Sequence, residues 1–226
     1  SGNIYIITIG GSVKFFVDSA VIEEIEKAKE LGLADGVTTN PTLIRKSGKD
    51  FEETITAIAA ITDGPVAVEP VSTGLNGILE EGKRYAGWAD NVTVKIPVTN
   101  GGLKAVHTLS AQGISTTVTL IFSAAQALLA AKAGADYICP FIGRLDDIST
   151  PGIELIADIM SMFSNYPSLK TEVIAASIRS PMHVIDVARV GGHGVTIPFA
   201  VTEKMAGHPL TDKGIEKFLA DWNAVS

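Results

Sequence analysis

A single lysine, Lys95, interrupts the apolar run Val92-Thr93-Val94-Lys95-Ile96-Pro97. An ammonium group inside such a run is costly unless it is paired, because burial disfavours the charged form. The neutral amine is a nucleophile that can condense with a ketone to a Schiff base. The protonated imine then acts as an electron sink and permits cleavage of the carbon–carbon bond beyond the neighbouring hydroxyl. That chemistry requires an acid/base for the carbinolamine and a base for the proton of the cleaved hydroxyl. Asp18 and Glu69 follow two other apolar runs and can divide these roles, without the residues alone saying which takes which. The competing interpretation is a structural ion pair of Lys95 with Glu69 or Asp18.

Two arginines extend the constellation: Arg144 in Pro140-Phe141-Ile142-Gly143-Arg144, and Arg179 in Ala176-Ser177-Ile178-Arg179. Guanidinium groups after strand ends suit forked hydrogen bonding of a phosphate, and Ser177 can add a hydroxyl. Each arginine taken singly could instead pair with Asp146, Asp147 or another acid; two of them after successive strands favour the phosphate. Other polar residues point to less. His107, His183, His193 and His208 form no H-E-x-x-H or other ligand spacing and read as surface or core residues. Gly101-Gly102 and Gly191-Gly192 lack the Lys-Ser/Thr of a phosphate-binding P-loop and read as turns. Met160 and Met162 read as packing, and Cys139 as a small buried hydrophobe rather than a nucleophile. No metal or nucleotide cofactor is indicated.

These groups meet only if the fold converges their strands. Eight β-rich runs are expected: Lys14–Asp18, Gly36–Thr39, Val66–Glu69, Val92–Ile96, Ser115–Leu120, Tyr137–Phe141, Glu172–Ser177 and Gly194–Pro198. Most are near-continuously apolar, the mark of strands covered on both faces in a parallel sheet. Helical patterns lie between them, including Ala20–Leu31, Phe51–Ile61, Gly74–Trp88, Ser123–Gly134 and Pro181–Val190. Gly32, Gly134 and the Gly191-Gly192 pair suit left-handed helix ends, and Ser123 and Thr211 suit N-caps. Eight βα units predict a single-domain α/β protein, a (β/α)8 TIM barrel. A doubly wound open sheet is the lesser alternative, since the first βα turn has no G-x-G-x-x-G. Barrel sites form at the C-terminal strand ends, which here are Asp18, Asn40, Glu69, Lys95, Thr119, Phe141, Ser177 and Pro198.

The chain has 226 residues, 46% of them hydrophobic and 19% charged, enough to bury a sizeable core. Lys and Arg number 18 against 25 Asp and Glu, and 18 − 25 = −7. That sign disfavours nucleic-acid and membrane-surface partners, which need spread cationic charge, yet leaves room for a small anion held by local arginines. One cysteine excludes an intrachain disulfide and any multi-cysteine zinc site. No apolar run approaches a membrane span, and a cytoplasmic enzyme is expected. Residues 1–13 read as an added extension before a barrel spanning 14–226, and the uncharged IYIITI stretch within them is expected to find a sheet edge or a partner chain.

Five ordered motifs resemble the transaldolase signatures: Phe15-Phe16-Val17-Asp18-Ser19-Ala20, Gly36-Val37-Thr38-Thr39-Asn40-Pro41, Val94-Lys95-Ile96-Pro97, Pro140-Phe141-Ile142-Gly143-Arg144 and Ala175-Ala176-Ser177-Ile178-Arg179. The resemblance extends to His208-Pro209-Leu210-Thr211-Asp212-Lys213-Gly214, and is nearest to the short bacterial and archaeal transaldolases, which shade into the fructose-6-phosphate aldolases. It implies a (β/α)8 barrel without metal or organic cofactor, transferring a dihydroxyacetone unit between sugar phosphates in the non-oxidative pentose phosphate pathway. It further implies Lys95 as the Schiff-base lysine and Asp18 as the acid/base on the hydroxyl at the cleaved bond. Glu69 and Thr119 match the pair that positions a water for carbinolamine formation and breakdown. Asn40 matches the residue that holds a substrate hydroxyl, Thr38 is a further substrate-binding residue, and Arg144, Ser177 and Arg179 match the phosphate site.

Within that resemblance, aldolases carry Gln where Glu69 stands and Tyr where Phe141 stands, so both positions favour the transferase over the lyase. Thr117 and Cys139 stand where transaldolases usually have Asn and Ser in contact with the donor, so altered donor preference is expected. A non-catalytic sugar-phosphate-binding or scaffold protein is the alternative of another class, opposed by the intact Lys95, Asp18, Glu69 and Thr119. Ring-forming homo-oligomers, pentamers or decamers, are typical of the family. Ile215, Phe218, Leu219 and Trp222 at helical spacing offer an apolar stripe for a neighbouring subunit or for the chain's own barrel.

Overall fold

The structure, a computed structural model, describes residues 13–225. The expected extension and its IYIITI stretch therefore lie, except for Val13, outside the described residues. In chain order the elements are β1 (Lys14–Asp18), α1 (Ile22–Glu30), β2 (Gly36–Thr38), α2 (Pro41–Ser47), α3 (Phe51–Ile61), β3 (Val66–Val68), α4 (Leu75–Ala86), β4 (Val92–Pro97), α5 (Asn100–Ser110) and β5 (Thr116–Ile121). They continue with α6 (Ala124–Ala133), β6 (Tyr137–Pro140), α7 (Gly143–Asp146), α8 (Gly152–Ser164), β7 (Glu172–Ala175), α9 (Pro181–Arg189), β8 (Gly194–Ile197), α10 (Phe199–Ala206) and α11 (Pro209–Val225). All eight strands run parallel in sequence order, and β8 pairs with β1 to close the barrel. The expected strands are all present, with ends shifted by no more than two residues.

The strand register sorts side chains into two layers. Val94, Ile96, Val118, Ile138 and Val173 share one cluster with helix residues Ala105, Leu109, Ala130 and Ile159, so they face outward. Along another arc of the wall Val17, Val37, Val66 and Val68 pack outward against Ile25, Ile55 and Ile58. The alternate residues point inward. Phe16, Cys139, Ile174 and Ala176 form a separate interior cluster. Threonines paired across strands complete the interior, Thr93 with Thr117 at 3.0 Å and Thr38 with Thr196 at 2.5 Å. The strands thus look apolar throughout because their outward residues are Val and Ile, while the inward ones supply the polar groups.

Close packing makes one interior glycine obligatory. A Cβ on Gly36 would stand 2.6 Å from the Phe16 ring and 2.8 Å from the Pro65 carbonyl oxygen. Gly36→Ala is therefore expected to destabilise the barrel by about 1–3 kcal/mol, the usual cost of overpacking a core. A denaturant melt with an unchanged m-value would register it; wild-type stability would disprove the contact.

Several local expectations hold, and two are corrected. Ser123 caps α6 through the Gln126 N–H, and Gly32, Gly134 and Gly191 end helices with φ of +71°, +101° and +80°. Thr211 is not an N-cap: α11 starts at Pro209, whose fixed φ suits the first helical turn, which leaves Thr211 inside it. Gly101-Gly102 is not a turn but the first turn of α5, where the Thr99 hydroxyl accepts from the Gly102 N–H at 3.0 Å. A side chain on Gly102 would collide with the Pro97 carbonyl, 2.1 Å from its Cβ position, so the pair marks helix–strand packing.

Candidate active site

Polar residues at the C-terminal mouth of the barrel enclose a cavity of about 530 Å³. Eleven of the twelve residues singled out above line it: Asp18, Thr38, Asn40, Glu69, Lys95, Thr119, Cys139, Phe141, Arg144, Ser177 and Arg179. Thr117 is the exception. It stands opposite Lys95 in the β4–β5 register and is buried, its hydroxyl 3.0 Å from that of Thr93. The expected contact of Thr117 with a donor is therefore not a wall contact here.

Lys95 is 7% exposed, and its position follows from β4 carrying it inward between outward-facing Val94 and Ile96. Its Nζ donates to the Thr39 carbonyl oxygen at 2.6 Å and stands 3.2 Å from Glu69 Oε2. The ion pair considered as an alternative is thus present, and it holds the amine at the cavity floor. Glu69, directly after β3, remains at the cavity wall.

Asp18 ends β1 and accepts from the Thr38 hydroxyl at 2.9 Å. Burial pushes its pKa above the ordinary carboxylate value, although the Lys95 charge and the Thr38 donor oppose the shift. A raised carboxylate pKa beside a lysine fits a group that exchanges a proton during reaction. Asn40 caps α2, its Oδ1 accepting from the Leu43 N–H at 3.0 Å, which leaves the amide N–H groups to donate to a ligand hydroxyl. Cys139 is buried, and burial drives its thiol pKa up to about 12, so it stays neutral and does not act as a nucleophile.

The opposite end of the cavity is cationic. Arg144 lies over the Phe141 ring, its guanidinium carbon 5.0 Å from the ring centroid. Phe141 is itself braced edge-on by Phe122 at 5.4 Å. Arg179 forms a two-pronged pair with Asp147, Nη2 to Oδ2 at 2.6 Å and Nη1 to Oδ1, which also holds the Asp147 carboxyl below its usual range. The loop salt bridge named as the competing role for an arginine therefore exists for Arg179, which nevertheless lines the cavity. Ser177 and Leu120, both in the wall, adopt φ of +59°, a strained value for residues with a side chain. Around Leu120 the β5–β6 register shifts between Val118 and Ile121, and this irregularity lets consecutive Thr119 and Leu120 both reach the cavity.

Several wall residues escaped the strand-end reading, among them Leu120 and Thr196. Thr196 lines the cavity, whereas Pro198, taken as the end of β8, does not. Alternation along β8 carries the signal: Val195 and Ile197 pack outward, which sends Thr196 inward. The histidines stay out of the wall, and no described His, Cys, Asp or Glu residues cluster as a metal site. His183 instead stands 3.1 Å from Asp146 and accepts the Arg179 backbone N–H at 3.3 Å.

The family model described as Transaldolase/Fructose-6-phosphate aldolase matches residues 15–226. The chain is 56% identical to a protein of Caldicellulosiruptor saccharolyticus named "Probable transaldolase", over 94% of this chain and 98% of that one. It is 54% identical to an Aquifex aeolicus protein of the same name, again over 94% and 98%. Among solved structures it resembles orotidine 5'-monophosphate decarboxylase from Sulfolobus solfataricus, with TM-score 0.59 and 13% identity over 93% of this chain and 99% of that one. That likeness concerns the barrel alone.

Proposed function

Since the chain belongs to the Transaldolase/Fructose-6-phosphate aldolase family, we propose that it is a transaldolase moving a dihydroxyacetone unit from a ketose phosphate to an aldose phosphate. The observation carrying this reading is the Lys95 amine, 3.2 Å from Glu69 at the floor of a cavity whose other end holds Arg144 and Arg179. Lys95 attacks the donor ketone, and Glu69 with Thr119 manages protons and water as the carbinolamine loses water to form the imine. Asp18 accepts the proton of the hydroxyl at the cleaved bond, the bond's electrons flow into the iminium, and an aldose phosphate leaves. The enamine left on Lys95 attacks the acceptor aldehyde, Asp18 returns its proton, and water releases the new ketose phosphate.

Phe141 supports transfer over free aldol cleavage, because a phenyl ring has no hydroxyl to protonate the enamine and release dihydroxyacetone. Turnover of fructose 6-phosphate with and without erythrose 4-phosphate tests this. Acceptor-dependent turnover is expected; equal release of dihydroxyacetone without acceptor would make the protein an aldolase.

Arg144 and Arg179 bind the phosphate in this reading. Arg179→Ala is expected to raise KM for erythrose 4-phosphate about tenfold, the scale of a lost charged hydrogen bond. The KM for unphosphorylated erythrose should stay unchanged. Equal effects on both would remove Arg179 from the phosphate site. The assembly belongs to the same reading. Helix α11 buries no residue and exposes Leu210, Ile215, Phe218 and Leu219, consistent with cover from a neighbouring subunit in a cytoplasmic pentamer or decamer. No described helix is long and apolar enough to cross a membrane.

A further inference from the structure

The loop after β3 starts at Glu69 and continues through Pro70, Val71, Ser72 and Thr73 to α4. Pro70 is buried, but Val71 and Thr73 beyond it are exposed. One side forms the wall of the main cavity at Glu69, and residues 69–73 also line a second cavity of about 390 Å³. Val71 is 67% exposed. Core packing therefore ends at Pro70, and another interaction must hold the Val71-Ser72 turn through which the chain leaves Glu69.

That interaction is a single carboxylate. Glu81, midway along α4, accepts the Val71 N–H at 2.7 Å and the Ser72 N–H at 3.2 Å on Oε2. Its Oε1 accepts the Ser72 hydroxyl at 2.5 Å, and the Tyr85 hydroxyl donates to Oε2 at 3.4 Å. Burial alone would raise the Glu81 pKa, but the Ser72, Val71 and Tyr85 donors outweigh it and hold the group below its ordinary value. The clamp is fixed to a rigid support. Tyr85 is 1% exposed and packs against Phe51 at 5.2 Å and Trp88 at 4.5 Å, while Gly82 lies against Val94 and Leu109. Ser72 sits flush on the helix, since a Cβ on Gly77 would meet it at 2.6 Å.

We propose that Glu81 is a positioning residue for the reaction: its carboxylate clamps Val71 and Ser72 to α4 and so holds Glu69 within reach of the Lys95 amine. The inference rests on the reading of Glu69 as the acid/base of the imine steps. Its physical basis is that a catalytic group next to an exposed turn loses rate steeply when that turn shifts it by a small distance. Glu81 reaches the main cavity only through this loop, so its effect should pass through Glu69 and leave the phosphate end alone.

A double-mutant cycle tests it, with fructose 6-phosphate and erythrose 4-phosphate as substrates. Glu81→Ala is expected to lower kcat about tenfold or more with KM for both sugar phosphates unchanged, and to slow the appearance of the borohydride-trapped adduct on Lys95 equally. In a Glu69→Ala background the same change should have no further effect, because the group it positions is gone. Glu81→Gln keeps one acceptor oxygen for the loop and should recover part of the rate; it carries the test if the alanine variant does not fold. Additive losses in the double variant, wild-type kcat in Glu81→Ala, or a loss confined to KM would each overturn the clamp. If Glu69→Ala itself turns over at the wild-type rate, the reading of Glu69 falls first and the clamp with it.

Discussion

Lys95→Met should lose transfer activity by roughly 10⁵-fold, the scale seen when a covalent nucleophile is removed, and should form no adduct with fructose 6-phosphate under borohydride. The expectation rests on chemistry that no neighbouring group can supply. Lys95 is the cavity's amine, and the other cations in its wall, Arg144 and Arg179, are guanidinium groups, which do not form a Schiff base with a ketone. Methionine keeps much of the length and volume of the side chain, so the barrel is expected to fold. Two contacts disappear: the donor to the Thr39 carbonyl and the cation beside Glu69. Removing one partner of a sealed ion pair costs about 3–5 kcal/mol. Here Glu69 is 16% exposed on an open cavity, so water takes the place of the ammonium and the loss should be smaller. Mass spectrometry of the wild type should place the reduced adduct on Lys95. An adduct on Lys95→Met, or a wild-type adduct on another lysine, would defeat the Schiff-base reading, while circular dichroism confirms that the variant is folded.

The sequence made the barrel and most of its mouth legible for one physical reason. In a barrel covered by helices, outward strand positions must be apolar, so a polar residue that closes an apolar run, such as Asp18 or Glu69, is either costly or at the mouth. Lys95 inside such a run stands out for the same reason. The reading failed where that contrast is weak. At β8 the run continues to Pro198, and Thr196 became visible only once Val195 and Ile197 were seen to pack outward. Thr117 stays out of the cavity wall because its hydroxyl pairs with Thr93 in the barrel interior, a cross-strand contact that the strand sequence does not display. Arg179 could have paired with several acids, and only the loop geometry selects Asp147. Glu81 was invisible altogether: on a helix with Glu80, Lys83 and Arg84 around it, it looks like one more solvated charge. Two of its partners are backbone N–H groups ten and nine residues away, which carry no residue identity to read, and the Ser72 hydroxyl comes within reach only once the loop folds back on the helix.

Asp18→Asn should separate the two halves of the reaction. The amide can no longer accept a proton, so bond cleavage is expected to slow by about 10²–10⁴-fold, the range for loss of a general base. Imine formation depends on Lys95 and Glu69 and should continue. Borohydride should then trap the intact six-carbon phosphate on Lys95 in the variant, where the wild type also yields the three-carbon adduct. Equal three-carbon trapping in both would show that Asp18 is not the base. The same substitution has a consequence for stability whose sign follows from the raised pKa. Asp18 binds its proton more tightly folded than at its ordinary 3.8, so the stability gained by protonation is complete below that value and lost as pH rises through the higher folded one. At neutral pH the ionised group is therefore a net cost, since desolvation exceeds what Lys95 and Thr38 return. The asparagine side chain in Asp18→Asn would keep an oxygen to accept the Thr38 hydroxyl without that charge. The variant should therefore melt at a higher temperature than the wild type at pH 7, with the gap closing in acid. In the wild type the same shift places the acid limb of kcat above the ordinary carboxylate range, and that limb should vanish in the residual activity of Asp18→Asn. A slow variant that melts lower at pH 7 would mean that Lys95 needs the charge of Asp18 more than burial penalises it.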